Sequence, residues 1–158
     1  MKLTEIVVTE AIVTQLQAGE RDDAISELID ALVKSGAVPE GARDTLVQRV
    51  LEREAKGSTG FGKGVAVPHV RHKEATRVAA AIGLSEQGID FNALDRQPVF
   101  SVFLLVSPED SPDDHLQAME VIFHNLGKQT FRRFLRQARS VEDVTTLLDE
   151  ADTQQLAC

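Results

Sequence analysis

Two of the four histidines in this 158-residue chain lie where the predicted secondary structure changes. His69 follows a proline at the end of a predicted strand, just after a glycine-rich segment, whereas His115 opens a predicted helix after a proline-flanked turn. Active groups of open α/β sheets collect beyond the carboxyl ends of strands, so these two histidines can share one cleft. A neutral imidazole is a good nucleophile towards phosphorus near neutral pH. The pattern therefore points to a phosphoryl acceptor, with structural histidines as the alternative.

A phosphohistidine needs hydrogen-bond donors around its oxygens, and the segment before His69 can supply them. Residues 53–69 contain Arg53, the run GSTGFGKG and His69 in that order. An arginine, the backbone N–H groups of a glycine-rich loop and a second histidine such as His115 can all bind phosphoryl oxygens. The loop positions assigned to this task are Ser58, Thr59, Gly60, Gly62 and Gly64.

The same glycines raise the alternative of a nucleotide site. Gly57 to Lys63 matches the GxxxxGK start of a phosphate-binding P-loop, but Gly64 stands where the magnesium-binding Ser or Thr belongs. The context is also reversed, because a P-loop leads from a strand into a helix and this run leads from a predicted helix into a strand. Both departures disfavour nucleotide hydrolysis.

A metal-dependent hydrolase is the other alternative for histidines with acids nearby. Zinc sites favour close histidine pairs on one helix face, and the only close pair here, His69 and His72, lies in a strand-end segment. The favoured interpretation therefore needs no metal and no cofactor. His72, in the charged run RHKE, is predicted to be a surface residue. His124 lies two and a half helical turns after His115 and is predicted to face away from it, in a structural or exposed position.

Helices and strands are interspersed along the chain, which predicts an α/β fold with a central sheet covered by helices. Predicted strands cover residues 11–16, 65–69, 77–84 and 99–106, and predicted helices cover residues 21–35, 39–56, 113–126, 131–137 and a last one from Ser140. Asp113 or Asp114 is the predicted N-cap of the helix that runs to Leu126. At the last helix, Ser140 and Asp143 form a capping-box-like pair. The strand at 99–106 is apolar enough to be buried on both faces. We expect residues 1–158 to form a single domain with a frayed C-terminal end.

Charge and composition limit the partners. The formal net charge of −8 repels nucleic acid and anionic lipid, and the only aromatic residues are seven phenylalanines. No apolar run is long enough to cross a bilayer, and the single cysteine, Cys158, cannot form an internal disulfide. We therefore expect a cytoplasmic protein that neither binds nucleic acid nor inserts into a membrane.

One concentrated positive strip stands out in this acidic chain. In FRRFLRQAR, Arg132, Arg136 and Arg139 share one predicted helix face, and the apolar residues Phe131, Phe134 and Leu135 can bury the other. The strip is either a solvated face paired with nearby acids or a secondary docking surface for an acidic partner.

Residues 52–69, EREAKGSTGFGKGVAVPH, together with DDHL at 113–116, resemble the enzyme IIA domain of the bacterial phosphotransferase system. The similarity is to the fructose/mannitol type and its nitrogen-regulatory relative. These show a helix ending in Arg-Glu, a glycine-rich run ending in Pro-His, and a later His-Leu opening a helix. FNALDRQPVFSVFLLVSPED also resembles the family's stretch before that second histidine, so the resemblance spans nearly the whole chain.

The resemblance implies a mixed sheet flanked by helices and a phosphocarrier function. It implies that His69 accepts a phosphoryl group from the small carrier HPr or its paralogue, that His115 supports the phosphorylated imidazole, and that Arg53 helps to hold the charge. The next acceptor would be an enzyme IIB domain in a sugar pathway. Alternatively, the phosphorylation state of His69 would regulate docking to a target protein. The oligomeric state is left open.

One residue departs from the family pattern. Family members often have glycine directly after the Pro-His pair, where this chain has Val70. A β-branched residue disfavours positive φ, so the backbone at Val70 is predicted to be extended. The change alters the mouth of the site and bears on partner identity more than on the chemistry.

Overall fold

The structure is a computed structural model that describes residues 1–153. The predicted frayed end, which includes Cys158, lies outside the described residues. Within residues 1–153 the chain forms six α-helices and one six-stranded sheet, in the order α1 (Leu3–Ile6), β1 (Val7–Val13), α2 (Arg21–Lys34), α3 (Arg43–Lys56), β2 (Gly60–Gly62), β3 (Val65–Ala66), β4 (His69–His72), β5 (Ala79–Ile89), β6 (Val99–Pro108), α4 (Pro112–Leu126), α5 (Gln129–Gln137) and α6 (Val141–Asp152). A short 3₁₀ turn, Glu40–Ala42, leads into α3.

The sheet is mixed, as predicted. Its strands run β1-β5-β6-β3-β2, and β4 also pairs with β6. β5 and β6 are antiparallel, whereas β1 is parallel to β5, and both β3 and β4 are parallel to β6. The parallel pairing of β4 with β6 places His69 opposite Leu105, near the carboxyl end of β6. The site therefore forms where β6 ends and α4 begins.

Helices cover both faces of the sheet and divide the core into two layers. One layer packs α2 and α3 on the sheet, and the other packs α1, α4, α5 and α6. β6 contributes to both layers, because Val102, Leu104 and Val106 face the first while Phe103 and Leu105 face the second. Side chains alternate between faces along a strand, so a continuous apolar run is what a strand buried on both faces requires. The prediction of a doubly buried strand is confirmed.

The predicted strand ending at His69 is wrong in one respect that matters for the site. The ladder stops after Ala66 and resumes at His69, so His69 begins β4 instead of ending a strand. Pro68 has no N–H to donate and cannot continue the ladder, although its carbonyl still accepts from the N–H of Leu105. Val70 lies in β4 with extended backbone, as its β-branched side chain predicts.

Two helix starts test the capping predictions. α4 begins at Pro112 with Ser111 in the N-cap position, so neither Asp113 nor Asp114 is the cap. Proline at the first helical position is favoured because that N–H has no partner within the helix. The two aspartates lie in the first turn, where the helix dipole favours negative charge. At α6 the prediction is confirmed, since the Ser140 hydroxyl accepts from the N–H of Asp143.

The first strand and its surroundings shift from the predicted bounds. β1 covers Val7–Val13 instead of residues 11–16, and the short helix α1 precedes it without a clear sequence signal. Leu16 lies past the strand, but its N–H still donates to the carbonyl of Leu84. The error follows from the run VVTEAIV, whose buried residues come in pairs instead of alternating strictly, because the pairing with β5 is irregular between Val7 and Ile12.

Candidate functional site

A backbone hydrogen bond fixes which nitrogen of His69 carries the lone pair in the neutral ring. Nδ1 of His69 lies 2.8 Å from the carbonyl oxygen of Val67. A carbonyl oxygen only accepts, so in the neutral ring the proton belongs on Nδ1 and the lone pair on Nε2. The ring is partly buried. The break in the strand at Pro68 creates this geometry, because the chain turns so that residue 69 can reach back to the carbonyl of residue 67.

His115 lies beside His69, as the sequence predicted for two histidines at strand ends. The two ring centroids are 5.6 Å apart and the ring planes are inclined by 48°. His115 is in the first turn of α4, and its Nδ1 lies 2.7 Å from the hydroxyl oxygen of Ser107 near the end of β6. Ser107 is fully buried, and its hydrogen bond with Nδ1 fixes the orientation of the His115 ring.

Burial keeps both imidazoles neutral near pH 7. The pKa of His69 is lowered from its ordinary value, first by burial and then by the positive charge of Arg53, against opposing effects of the Val67 carbonyl and the Glu54 carboxylate. The pKa of His115 is lowered to about 4, first by burial and then by the neighbouring His69 and Arg71. A neutral His69 keeps the Nε2 lone pair that a nucleophile needs.

Two arginines place positive charge around the histidine pair. Arg53, in the last turn of α3, donates from Nη1 to the carbonyl oxygen of Gly57 at 2.9 Å and acts on the pKa of His69. Arg71 lies two residues after His69 in β4, is exposed, and acts on the pKa of His115. Residues two apart share one face of a strand, so Arg71 and His69 project to the same side of the sheet. The two guanidinium groups can bind an anionic group that is held beside the two imidazole rings.

The start of the glycine-rich loop is tied to a buried carboxylate. Glu54 is 3% exposed, and its carboxylate accepts from both the N–H and the hydroxyl of Thr59. The hydroxyl of Ser58 donates to the carbonyl oxygen of Phe91 at 2.6 Å, and the same Ser58 oxygen accepts from the N–H of Gly60. These bonds already occupy the N–H groups of Thr59 and Gly60, which the sequence interpretation assigned to phosphoryl binding.

The later loop glycines belong to a tight hairpin. Gly62 and Gly64 have positive φ values of 107° and 79°, which side chains other than glycine rarely adopt. An added Cβ would come within 3.3 Å of Asp95 at Gly62 and within 3.2 Å of Phe100 at Gly64. Gly62 and Gly64 therefore pack against residues of the 90–100 segment. The ring of His69 lies instead against that of His115. The loop leads from helix α3 into a hairpin, which differs from the strand-to-helix order of a P-loop.

The structure places the remaining two histidines away from the pair. His124 is exposed, as predicted. His72 is 3% exposed, so the prediction of a surface residue is wrong. The run RHKE is charged, but β4 alternates: Val70 and His72 turn inward, while Arg71 turns outward. Nδ1 of His72 accepts from the N–H of Glu74, and this bond satisfies a ring nitrogen inside the protein.

Among residues 1–153, no group of three or more His, Cys, Asp or Glu side chains is arranged to hold a metal ion. No helix of this part of the chain is long and apolar enough to cross a membrane.

A family model described as "Phosphoenolpyruvate-dependent sugar phosphotransferase system, EIIA 2" matches residues 5–151, which is most of the chain. The chain belongs to this family. It is accordingly a phosphotransferase component, of the kind that carries phosphoryl groups between proteins. The resemblance predicted from the Pro-His and His-Leu motifs is confirmed.

Relatives of this EIIA chain carry both sugar and regulatory names. It is 30% identical to the PTS system fructose-specific EIIA component of Haloferax volcanii, over 94% of this chain and 95% of that protein. It is 31% identical to the nitrogen regulatory protein of Bradyrhizobium diazoefficiens, also over 94% and 95%. It is 30% identical to the fructose-specific EIIABC component of Bacillus subtilis, over 96% of this chain but only 24% of that longer protein.

A solved structure supports the architecture. The nitrogen regulatory protein IIA-Ntr of Neisseria meningitidis superposes with a TM-score of 0.82 at 27% identity, covering 91% of this chain and 97% of that one. The predicted α/β class, with a mixed sheet flanked by helices, is confirmed.

Three residues around the EIIA histidines were missed in the sequence. Ser107 was a polar residue inside an apolar strand, which is a usable signal, since a buried hydroxyl needs a hydrogen-bond partner. Glu54 stood in the Arg-Glu pair that ends α3, but only its neighbour Arg53 was assigned a role. Arg71 followed His69 at the spacing that shares a strand face, and it was overlooked because the strand was predicted to end at His69.

The lowered pKa of His115 predicts a pH-dependent stability. Between pH 6.5 and about 4 the unfolded chain binds a proton at His115 that the folded chain does not, so the free energy of unfolding falls as the pH falls through this window. Because the ring is partly exposed, solvent screening reduces this loss to about 1–2 kcal/mol. Urea unfolding of the parent and of His115→Gln at pH 7 and pH 4.5 should show a smaller loss in the variant. His124→Gln, an exposed histidine of the same helix, should lose as much as the parent. If all three proteins lost the same free energy of unfolding between pH 7 and pH 4.5, the loss could not be assigned to His115.

Proposed function

We propose that this EIIA domain accepts a phosphoryl group on Nε2 of His69 and passes it to another protein. The observation that carries the proposal is the 2.8 Å bond from His69 Nδ1 to the Val67 carbonyl, which leaves Nε2 as the nucleophilic nitrogen beside His115. The family membership supplies the reaction class, and the lowered pKa of His69 keeps the ring unprotonated at neutral pH.

The step is an in-line displacement at phosphorus. The Nε2 lone pair of His69 forms the new N–P bond while the N–P bond of the donor phosphohistidine breaks, and its electron pair returns to the donor nitrogen. The His69 ring gains positive character as the bond forms, and the Val67 carbonyl stabilises this charge through the Nδ1 proton. One N–P bond replaces another, and no other group is consumed. The protein therefore contributes positioning and electrostatic stabilisation.

We propose that three side chains hold the phosphoryl charge. Arg53 supplies positive charge near His69 and Arg71 supplies it near His115, while His115 offers a ring nitrogen beside His69. The hydrogen bond with Ser107 determines which ring nitrogen of His115 can donate to the phosphoryl group. If its hydroxyl donates to Nδ1 of His115, the proton of the neutral ring lies on Nε2, which can then donate to a phosphoryl oxygen. His115 therefore binds the phosphoryl group without first being protonated.

The glycine-rich loop remains part of the proposed site. The sequence predicts that Ser58, Thr59, Gly60, Gly62 and Gly64 bind the phosphoryl group directly. The bonds from Thr59 to Glu54 and from Ser58 to Phe91 favour a shaping role for the first part of the loop. The N–H of Val67 also donates to the carbonyl of Thr59, so the loop supports the residue that orients His69.

The donor we propose is an HPr-type phosphocarrier protein, and the acceptor an enzyme IIB-type domain. The name of the Bacillus subtilis relative, EIIABC, joins the A part that this chain matches to a B and a C part. We propose that residues 1–158 act as one domain in the cytoplasm, where phosphoenolpyruvate is produced.

A regulatory role is the second candidate. Nitrogen regulatory proteins match the chain over more than nine-tenths of both lengths, and the IIA-Ntr fold superposes with a TM-score of 0.82. In this case the dianionic phosphoryl group on His69 controls docking to a target protein, because it adds charge at the surface around the two histidines.

The test is transfer from a phosphorylated HPr-type carrier to the purified chain. We expect one acid-labile phosphoryl group per chain, and ¹⁵N-³¹P NMR should place it on Nε2 of His69. Phosphorus on Nδ1 would show that the Val67 bond does not set the reactive nitrogen. Adding a fructose-type IIB domain then separates the two candidates, since rapid discharge favours sugar transfer and a stable phosphoprotein favours regulation.

Ser107 provides a further test, of positioning. Ser107→Ala removes the hydroxyl from Nδ1 of His115, and the loss of one hydrogen bond should lower the rate of phosphoryl transfer roughly three- to tenfold. Ser107→Cys, which keeps a weak donor, should recover part of the rate. ¹⁵N NMR of the His115 ring should show the proton on Nε2 in the parent and at least partly on Nδ1 in Ser107→Ala. A slower rate with an unchanged tautomer would mean that Ser107 matters only for packing.

A further inference from the structure

A second surface, remote from the histidine pair, concentrates the positive charge of this acidic chain. A groove of about 580 Å³ lies between α5 and the tip of the β2–β3 hairpin, and we call it the basic groove. Its lining residues are Lys63, Gln129, Arg132, Arg133, Arg136 and Gln137. Four of these six are cations, in a chain whose net charge is −8. His115 and Leu126 are eleven positions apart in α4, or about 16 Å along the helix, and the carbonyl of Leu126 accepts from the groove residue Arg132.

Part of the groove is held in place by contacts that the sequence did not reveal. The N–H of Lys63 donates to the Asp95 carboxylate at 3.0 Å, and the carbonyl of Gly64 accepts from the N–H of Phe100 at 2.8 Å. The Arg136 guanidinium lies over the Phe100 ring, 3.7 Å from its centroid. The hairpin tip and α5 are therefore joined through Phe100, and Lys63 completes a charge cluster that the α5 arginines begin.

Within residues 1–153, the arginines of the groove form no ion pair with a neighbouring acid. Among residues 1–153 the ion pairs are those of Arg21 with Asp22 and of Arg43 with Asp30 and Asp44, and none involves α5. The alternative of a solvated face paired with acids is therefore not what the described residues show. Acids do lie on neighbouring elements. Asp95 is bound to backbone N–H groups, and Glu86 lines the adjoining cleft of about 270 Å³. On α6, Glu142, Asp143 and Glu150 line a pocket with Gln137 of α5.

The observed strip differs from the predicted one in three residues. α5 ends at Gln137, so Arg139 lies beyond the helix and lines the adjoining cleft with Arg136. Phe134 is 42% exposed, whereas Phe131 and Leu135 are buried. Arg133, which was not assigned to the strip, lines the groove together with Lys63.

We propose that the basic groove is a docking site for an extended acidic segment of a partner protein. The lining within the described residues consists of cations and amides, without the apolar side chains that bury most of a small-molecule ligand. From Gln129 to Gln137 the groove follows eight residues of helix, or about 12 Å, which an extended segment of about four residues spans. Alternating carboxylates of such a segment meet the guanidinium groups, and opposite charge also speeds the encounter.

The experiment measures binding of a fluorescent octaglutamate peptide by anisotropy, with octaglutamine as the neutral control. We compare Lys63→Asn/Arg133→Gln with Lys2→Gln/Arg49→Gln, in which two exposed cations outside the groove are removed. Asparagine suits position 63, whose φ is +63°. Arg132 is left intact because it donates to the carbonyl of Leu126, and Arg136 because it stacks on Phe100.

We expect the groove variant to weaken octaglutamate binding roughly three- to tenfold at low salt, with a smaller difference at high salt. The control variant should bind like the parent, and His69→Gln should also bind normally, since the groove is independent of the proposed phosphorylation. Equal weakening by both double variants would overturn the proposal. Tighter binding of inorganic tripolyphosphate than of the peptide would assign the groove to a phosphorylated small molecule instead. Light scattering that shows a self-associated parent and a monomeric groove variant would assign it to a second copy of the chain.

Discussion

His69→Gln should abolish phosphorylation by an HPr-type carrier. The substitution removes the nucleophilic Nε2 while keeping a polar side chain at the start of β4, so label uptake should fall to the background of the assay, at least about a thousandfold below the parent. The measurement is incorporation of an acid-labile phosphoryl group over time. Unchanged thermal unfolding of the variant at pH 7 would show that the loss is chemical.

The matched control for this result is His124→Gln, which removes an exposed histidine from α4. It should take up label at the parent rate. If His69→Gln retains label and His115→Gln does not, the acceptor is His115, and the role of the Val67 carbonyl in selecting Nε2 of His69 falls with it.

His115→Ala should slow phosphoryl transfer without removing the acceptor. Loss of a charge-assisted hydrogen bond to the phosphoryl group removes roughly 1.5–3 kcal/mol, which corresponds to a rate lower by about 10- to 150-fold. The rate of transfer from the carrier and the lifetime of the isolated phosphoprotein are both measured, because the ring contacts the group in the transition state and in the product.

Two variants at position 115 locate the atom responsible. A glutamine amide lies close to where Nε2 was, whereas an asparagine amide lies closer to Nδ1. His115→Gln should therefore recover part of the rate and His115→Asn should not. Gln117→Ala, an exposed residue one position beyond Leu116, is the control for changes at this end of α4. Parent-like kinetics and lifetime in His115→Ala would reduce His115 to a residue that opens a helix.

The two predicted effects differ in size because the two histidines do different things. In the proposed mechanism His69 supplies the electron pair that forms the N–P bond, and no neighbouring group replaces it. In the same mechanism His115 shares the phosphoryl charge with Arg53 and Arg71, so its removal leaves part of the stabilisation in place. Residues that act on one charge are not additive, and Arg71 carries a larger share of the charge once His115 is removed. Arg71→Gln should therefore slow transfer more in His115→Ala than in the parent.

Local sequence determined the elements and the order of the motifs. The apolar spacing of α2 gave its bounds to within one residue, because helix periodicity and a following glycine are local signals. The apolar run of β6 predicted a strand buried on both faces, and Val70 predicted extended backbone, because steric limits on φ act within one residue. The run from Arg53 to Pro-His69 and the later His115 predicted the site, since both histidines follow elements that end at one edge of a sheet.

Only the tertiary structure decided how the site works. The bond from His69 to Val67 depends on the break at Pro68, and the bond from His115 to Ser107 depends on the turn between β6 and α4. The inward position of His72 follows from the register of β4 on β6, which a charged sequence does not reveal. Lys63 reaches α5 only because the hairpin and Phe100 bring residues far apart in sequence together. Residue types and spacing set which groups are available, whereas strand pairing and side-chain packing set which atoms meet, and proton positions and local charge depend on the latter.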